Sequence, residues 1–307
     1  MERKKAAFAG SWYPGTPEEC EREVQQFLKE KKRPLNGNFV GGIVPHAGWY
    51  FSGALACRVI NALGSSGRPC DAFVIFGMHM HEKSSPCILT KGAWETPLGD
   101  LEIHDRLASA MTKIADFKTA DIFSFPDENT IELQLPFIKY FFPDTAIVPV
   151  GVPPSPVAER IGISAAKAAE KLGINICVLG STDLTHYGMN YNFTPAGSGE
   201  KAHDWVVNDN DRKAVKAMTS MDASAIIFEG LENHNICCAG AAAAAAAAAK
   251  SLGAVRGIKL DYTTSYEKSP GESFVGYAGL LFSSNGHEAG LASGPGLPHK
   301  INNFDNA

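Results

Sequence analysis

Short apolar segments alternate with amphipathic ones along most of the chain. The uncharged apolar segments predict buried strands at 39–44, 72–76, 146–150, 174–179 and 274–282, and an alternating segment predicts a half-exposed strand at 259–266. Helical spacing of apolar residues predicts helices at 17–33, 52–63, 128–142, 157–172 and 201–218, with a strand end and a helix within 101–114. This alternation predicts an α/β fold, a single three-layer αβα domain around a mostly parallel, mixed sheet.

Two helices carry additional signals. Thr16, Pro17 and Glu19 form a capping box with proline at the first helical position. The segment 239–251 is predicted to be helical from propensity alone, because it contains nine consecutive alanines.

No linker divides the chain before Ser283. Beyond it the sequence is rich in Gly, Ser, Pro and Asn. We therefore expect one domain over residues 1–283 and a flexible C-terminal tail over 284–307.

Composition narrows the function classes. An apolar fraction of 45% with 20% charged residues is typical of a globular chain. The net charge of −5 argues against nucleic acid as a partner. No targeting signal or membrane span is evident, and the odd set of seven cysteines favours reduced thiols, so we expect a cytoplasmic protein without a membrane partner.

Histidines follow three of the predicted strands. His46 comes after the first, His79 and His81 after the second, and His186 after the fourth. If these strands are parallel neighbours, His46, one of His79 and His81, and His186 meet at one edge of the sheet. A single histidine in such a place is usually an ordinary loop residue, but imidazole is also the usual ligand of zinc, iron and copper.

Cys237 is a candidate third ligand. It lies where the alanine helix begins, and a helix N-terminus stabilises a thiolate. The alternative is that Cys237 and Cys238 are buried thiols beside a closely packed helix. Asp183 is a candidate for orienting a ligand histidine or a general base, or else a turn residue. Glu128 and Glu132 are interpreted as favourable charges at the start of a helix.

Several sequence motifs together resemble those of the Memo family, whose microbial members are called protein B of the AmmeMemoRadiSam system. The matching segments occur in the family's order over nearly the whole chain: 9–14 (AGSWYP), 45–48 (PHAG), 128–136 (ENTIELQLP), 181–188 (STDLTHYG) and 276–279 (GYAG).

The resemblance implies a fold similar to class III extradiol dioxygenases, which use non-heme Fe(II). It implies three metal ligands, His46, His81 and Cys237, the last standing where those dioxygenases have a carboxylate. His186 matches the acid/base histidine and Asp183 its acidic neighbour.

The same resemblance places Trp12 at the mouth of a substrate pocket. Three positions depart from the family: the segment 78–80 (MHM) replaces Pro-Ser-His, Asn129 replaces a histidine, and Cys238 replaces a glycine. His79, Met80 and Cys238 add imidazole or sulfur donors near this edge, and such donors favour copper.

Three hypotheses follow. The first is an oxidoreductase with Fe(II) or copper at the His/Cys site, acting on a small-molecule or peptide ligand. The second is a non-enzymatic metal- or peptide-binding partner protein with a vestigial dioxygenase pocket. The family resemblance implies a radical SAM protein and an AMMECR1-domain protein as partners. The third is a zinc hydrolase, although no GxSxG motif is present.

Overall fold

The computed structural model describes residues 2–29 and 37–284. The helices are α1 (Pro17–Lys29), α2 (Ala54–Ser65), α3 (Asp105–Met111), α4 (Asn129–Glu132), α5 (Leu135–Phe141), α6 (Val157–Leu172), α7 (Glu200–Trp205), α8 (Asp211–Thr219), α9 (Ala223–Glu232) and α10 (Ala239–Ser251). The strands are β1 (Arg3–Lys4), β2 (Phe39–Val44), β3 (Ala72–Gly77), β4 (Cys87–Leu89), β5 (Ala93–Trp94), β6 (Leu101–Glu102), β7 (Lys118–Ala120), β8 (Ala146–Gly151), β9 (Ile176–Ser181), β10 (His186–Tyr187), β11 (Arg256–Thr264) and β12 (Phe274–Ser283).

Within these residues, a mixed sheet of nine strands forms the centre. Eight follow the order β10-β12-β2-β9-β3-β8-β4-β7, and β11 pairs with β12. Strands β2, β9, β3 and β8 are mutually parallel, whereas β12 runs antiparallel to β2 and β4 antiparallel to β8. Strands β1, β5 and β6 form a second, small sheet. The predicted α/β class with a mixed central sheet is confirmed.

Helices cover both faces of the central sheet. One apolar core joins it to α1, α2 and α5, and a second joins it to α3, α6, α8 and α10. The predicted tail begins at Ser284, whose amide donates to the Asn38 carbonyl oxygen at 3.0 Å. Its remaining residues, 285–307, lie outside the described residues.

The alanine helix α10 is buried along its length between α6 and the sheet. Every residue from 239 to 249 is buried. Only small side chains fit there: a Cβ added at Gly162 of α6 would lie 2.1 Å from the carbonyl oxygen of Ala244. A Cβ at Gly240 would lie 2.4 Å from two carbonyl oxygens of the loop after β8. The poly-alanine composition is therefore what this close packing requires.

Two predicted helices are divided in the structure. The segment 128–142 forms α4 and α5, which meet at Leu133–Gln134, and Pro136 lies in the first turn of α5. Proline has no N–H and is tolerated in a first turn, but not in the middle of a helix. The segment 201–218 contains a π-helical turn, Val206–Asn210, between α7 and α8. Helix α9 was not predicted.

Among the described residues, the helices are all too short or too polar to cross a membrane.

Candidate metal centre

The carboxyl ends of β2, β9 and β3 meet at one edge of the sheet, because these strands are parallel neighbours. His46 follows β2, Asp183 follows β9 and His79 follows β3. The rings of His46 and His79 are 5.0 Å apart, centre to centre, in an edge-to-face arrangement. The edge predicted from the positions of the histidines therefore exists, and it holds His46 with His79.

Cys237 reaches the same edge from the start of α10. Its N–H donates to the Asp183 carbonyl oxygen at 3.1 Å, and the Asp183 N–H donates to the Cys237 Sγ at 3.2 Å. The Cys238 N–H donates to the Thr182 hydroxyl at 3.0 Å. These bonds tie the segment before α10 to the end of β9. They hold the Cys237 Sγ 3.4 Å from the His46 Nε2.

The hydrogen bonds of His46 decide which ring nitrogen faces Cys237. The Ser181 hydroxyl donates to the Thr130 carbonyl oxygen at 2.6 Å, so its oxygen accepts from the His46 Nδ1, 3.1 Å away. The Nδ1 therefore carries a proton, and Nε2 is the nitrogen available for coordination. A ligand histidine is commonly oriented by such a bond from its other nitrogen.

Four side chains offer donor atoms at distances that suit a metal ion. One nitrogen or sulfur from each of His46, His79, Cys237 and Cys238 lies within 4.8 Å of all the others. Tetrahedral coordination with zinc-like bond lengths puts nitrogen and sulfur ligands about 3.6 Å apart, and two sulfurs about 3.8 Å apart. The distance from the Cys237 Sγ is 3.4 Å to the His46 Nε2 and 3.8 Å to the Cys238 Sγ. The donor set therefore fits a metal ion, and its thiol and imidazole groups suit iron, copper or zinc.

The two thiols have opposite electrostatic properties. Burial raises the pKa of Cys237, but hydrogen bonds from Cys238 and His46 and the positive charge of His46 outweigh burial and hold that pKa well below its usual value. Burial and the neighbouring sulfur raise the pKa of Cys238 well above its usual value. The lowered pKa favours the thiolate form of Cys237, whose sulfur lies 3.8 Å from that of Cys238.

Asp183 is a buried neighbour of this cluster. Its carboxylate accepts from the His46 N–H at 2.7 Å, and its second oxygen is 3.8 Å from the His46 Nε2. Burial lowers the pKa of His46, but Asp183 and Cys237 raise it more, to about 9. Burial raises the pKa of Asp183, and the nearby imidazole opposes that rise. Asp183 therefore contacts the candidate ligand His46.

The structure differs from the expectation at His81. Met78 adopts a left-handed backbone with φ of 75° directly after β3, and its N–H donates to the Thr130 hydroxyl at 2.8 Å. This turn brings His79 over His46. His81 is exposed and accepts a hydrogen bond at Nδ1 from the Lys83 N–H at 3.2 Å. His79 is therefore the second histidine of the cluster, and the family pattern alone did not reveal the turn that selects it.

A cavity of about 640 Å³ opens above the cluster. His46, His79 and Asp183 line it, together with Trp12 and Asn129. Trp12 is 42% exposed. A ligand in the cavity would thus contact aromatic and imidazole groups close to the donor atoms.

His186 lies on the wall of the same cavity. Its Nδ1 donates to the Leu184 carbonyl oxygen at 3.1 Å, which makes Nε2 the acceptor nitrogen of the neutral ring. Tyr191 packs edge-to-face against it, 5.0 Å away between ring centres. Beneath it, Asp211 accepts bonds from the N–H and the hydroxyl of Thr185. This support fixes the backbone next to His186.

Glu132 is a supporting residue that the sequence did not reveal. We interpreted it as a favourable charge in the first helical turn, and Glu128 indeed caps α4 by accepting from the Thr130 N–H. Glu132 is instead fully buried and accepts from the N–H groups of Ala7 and Phe8 and from the Tyr13 hydroxyl. It anchors the segment that carries Trp12. This role is visible only from the tertiary structure, because Glu132 and its partners are more than 100 residues apart in sequence.

Comparison with known proteins identifies the family of the chain. The family model described as "Memo-like protein" matches residues 4–281. The chain belongs to the Memo family.

Curated relatives agree with this membership. The MEMO1 family protein TK1477 of Thermococcus kodakarensis is 34% identical over 288 residues, which cover 90% of this chain and 98% of that protein. The MEMO1 family protein PF1638 of Pyrococcus furiosus is 31% identical over 287 residues, covering 91% and 98%. Among solved structures, an uncharacterized Escherichia coli protein, JW3007, matches 74% of this chain and 92% of its own. Its sequence identity is 12% and its TM-score 0.43, so this likeness carries no argument about function.

Proposed function

We propose that this Memo protein binds a redox-active metal ion, Fe(II) or copper, through His46, His79 and Cys237, and acts as an oxidoreductase related to the extradiol dioxygenases. The observation that carries the proposal is the cluster of four donor side chains, whose two histidines line a cavity of about 640 Å³. Two imidazoles and one anionic ligand with open positions form a typical site for non-heme iron. When bound, the metal would supply binding of dioxygen and of a deprotonated substrate.

The protein's own groups would handle the substrate. His186 presents its Nε2 at the cavity wall, where it would accept a proton from a substrate hydroxyl and return it to the product. Asp183 would hold the backbone of His46 in place by accepting from its main-chain N–H. Trp12 and Tyr277 line the cavity and would contact the apolar part of a small-molecule or peptide ligand.

A specific observation favours a second function, metal binding without turnover. Cys238 supplies a fourth donor 3.8 Å from the Cys237 sulfur. A site with four protein ligands leaves no position for a substrate, as in structural zinc sites. In that function the chain would be a metal- or peptide-binding partner protein, with a radical SAM protein and an AMMECR1-domain protein as candidate partners. A zinc-dependent hydrolase with the same donor atoms is a further alternative. The location that suits reduced thiols is the cytoplasm.

Metal content tests the binding part of the proposal. Protein purified without oxygen is expected to bind one equivalent of Fe(II) or copper at the cluster, and His46→Ala and Cys237→Ala to lose it. His104→Ala is the matched control, because His104 caps α3 away from the cluster. Wild-type protein that takes up neither metal would refute the proposal.

Oxygen consumption tests the catalytic part. Iron- or copper-loaded protein is expected to consume oxygen with a member of a catechol panel, and His186→Gln to lose turnover while keeping the metal. Cys238→Ala separates the two functions. If the metal has three protein ligands and an open position, as an oxidoreductase needs, the variant still binds one metal ion. If Cys238 is a fourth ligand, as in the non-enzymatic function, the variant loses affinity for the metal. Metal binding without turnover across the panel would leave the non-enzymatic function. Tightly bound zinc with ester or amide hydrolysis would replace both.

A further inference from the structure

Three sulfur atoms meet beside Gly151, at the end of β8. A Cβ added at Gly151 would lie 2.3 Å from the Met78 Sδ, 2.7 Å from the Cys87 Sγ and 3.2 Å from the Met80 Sδ. The Cys87 thiol also donates to the Met78 Sδ, with the two sulfurs 3.3 Å apart. We refer to Met78, Met80 and Cys87 as the sulfur cluster.

The fold brings these atoms together from separate segments. Strand β4 pairs antiparallel with β8, so that Cys87 faces Gly151 across the ladder. Gly151 has no side chain, which leaves room above it. The left-handed turn at Met78 directs the chain after β3 across this space. Met78 and Met80 are half-buried and Cys87 is buried, so the cluster is reached from the surface past the two thioethers.

We propose that Met78, Met80 and Cys87 form a second metal site, which binds Cu(I). Two thioethers and one thiol are soft ligands, which select Cu(I) over harder divalent ions. Thioethers carry no charge and no proton, so only Cys87 must change its protonation state. On binding, the Cys87 S–H bond breaks, a sulfur–copper bond forms and the proton passes to solvent, while copper remains Cu(I). The proposal stands whether or not the His/Cys cluster binds a metal.

The position of the sulfur cluster gives it a role beside the first site. Met78 and Met80 flank His79, whose ring lies 5.0 Å from that of His46. The two candidate sites therefore share the chain segment 78–80. The sulfur cluster is suited to take up Cu(I) from solution independently of the His/Cys cluster.

Anaerobic titration with Cu(I) against a chromophoric chelator tests the second site. The Cys237→Ser/Cys238→Ser variant removes the thiols of the first site, and it is expected to retain one equivalent of Cu(I). Adding Met78→Leu and Met80→Leu is expected to weaken that binding at least tenfold. Leucine keeps the size of methionine, so packing is preserved. Met189→Leu is the matched control, because Met189 is an exposed methionine away from the cluster.

A second measurement covers the case in which the serine variant does not fold. Wild-type protein is then expected to bind two equivalents of Cu(I), and the Met78→Leu/Met80→Leu variant only one. X-ray absorption of copper at the second site is expected to show sulfur ligands without imidazole. The inference is wrong if Cu(I) binding is unchanged by the two leucines, or if the copper of a folded serine variant has nitrogen ligands. Either result would mean that the three sulfurs are packing contacts only.

Discussion

Ser181 is the residue through which we expect metal affinity to change without altering a ligand. Its oxygen accepts the His46 Nδ1–H at 3.1 Å, while its own proton goes to the Thr130 carbonyl oxygen at 2.6 Å. Ser181 is fully buried. Ser181→Ala therefore leaves the ring Nδ1–H of His46 without its acceptor and frees the ring to rotate away from Cys237.

The expected magnitude has two parts. Removing the partner of a ligand histidine typically lowers metal affinity ten- to a hundredfold, which is about 1.4 to 2.7 kcal/mol of binding free energy. Leaving a buried donor unsatisfied also lowers the free energy of unfolding by about 1–3 kcal/mol. The first effect is specific to the centre, and the second accompanies the loss of any buried hydroxyl.

The assay compares two serine variants by chelator competition for the bound metal and by urea unfolding. Ser164→Ala is the control, because Ser164 is equally buried and donates to a carbonyl oxygen of its own helix, α6. Both variants are expected to lose stability, and only Ser181→Ala to lose metal affinity. Unchanged affinity in a folded Ser181→Ala protein, or an equal loss in both variants, would refute the reasoning.

Three further predictions concern the second histidine, the packing of α10 and the titration of a buried carboxyl group. By the same competition assay, His79→Ala is expected to lower metal affinity at least about tenfold and His81→Ala to leave it unchanged, and an equal loss would contradict the placement of His79. Gly162→Ala is expected to lower the free energy of unfolding by about 1–3 kcal/mol through overpacking against α10. Gly64→Ala is expected to raise the free energy of unfolding by up to about 1 kcal/mol, because a Cβ there would meet nothing nearer than 3.5 Å. Urea unfolding of both glycine variants checks this contrast. Burial raises the pKa of Asp211 to about 6, so the native protein binds this proton more tightly than the unfolded chain does. The free energy of unfolding is therefore expected to fall by on the order of 3 kcal/mol as the pH rises from about 4 through 6. Asp211→Asn is expected to remove that dependence in urea unfolding between pH 4 and 7, and identical pH profiles would contradict it.

Much of the fold could be predicted because hydrophobic patterns and helix propensity are local properties. Strand β2 and helices α6 and α10 have the bounds that their patterns predict. The missed strands are short: β1, β5 and β10 have two residues each, and β4 and β7 have three. A segment of that length has no periodicity, so it becomes a strand only through its neighbours.

The candidate site was partly predictable for the same reason. Parallel buried strands place the residues after them at one edge, which predicted that His46, one of His79 and His81, and His186 meet there. Cys237 was a candidate ligand because it lies at the start of the alanine helix. Which neighbour each side chain contacts was not predictable. Asp183 binds the His46 N–H, and Glu132 binds an N-terminal segment, because chain segments far apart in sequence meet there.

The sequence by itself determined the layers of this protein, the strand ends that carry its polar groups, and the family to which it belongs. The tertiary structure alone decided that His79 rather than His81 faces His46, and that two methionines and Cys87 share one space. The physical reason is that burial periodicity fixes where a strand ends, whereas the direction of the next side chains depends on one backbone angle at Met78. That angle is held by a hydrogen bond from the Met78 N–H to the hydroxyl of Thr130, 52 residues away in sequence.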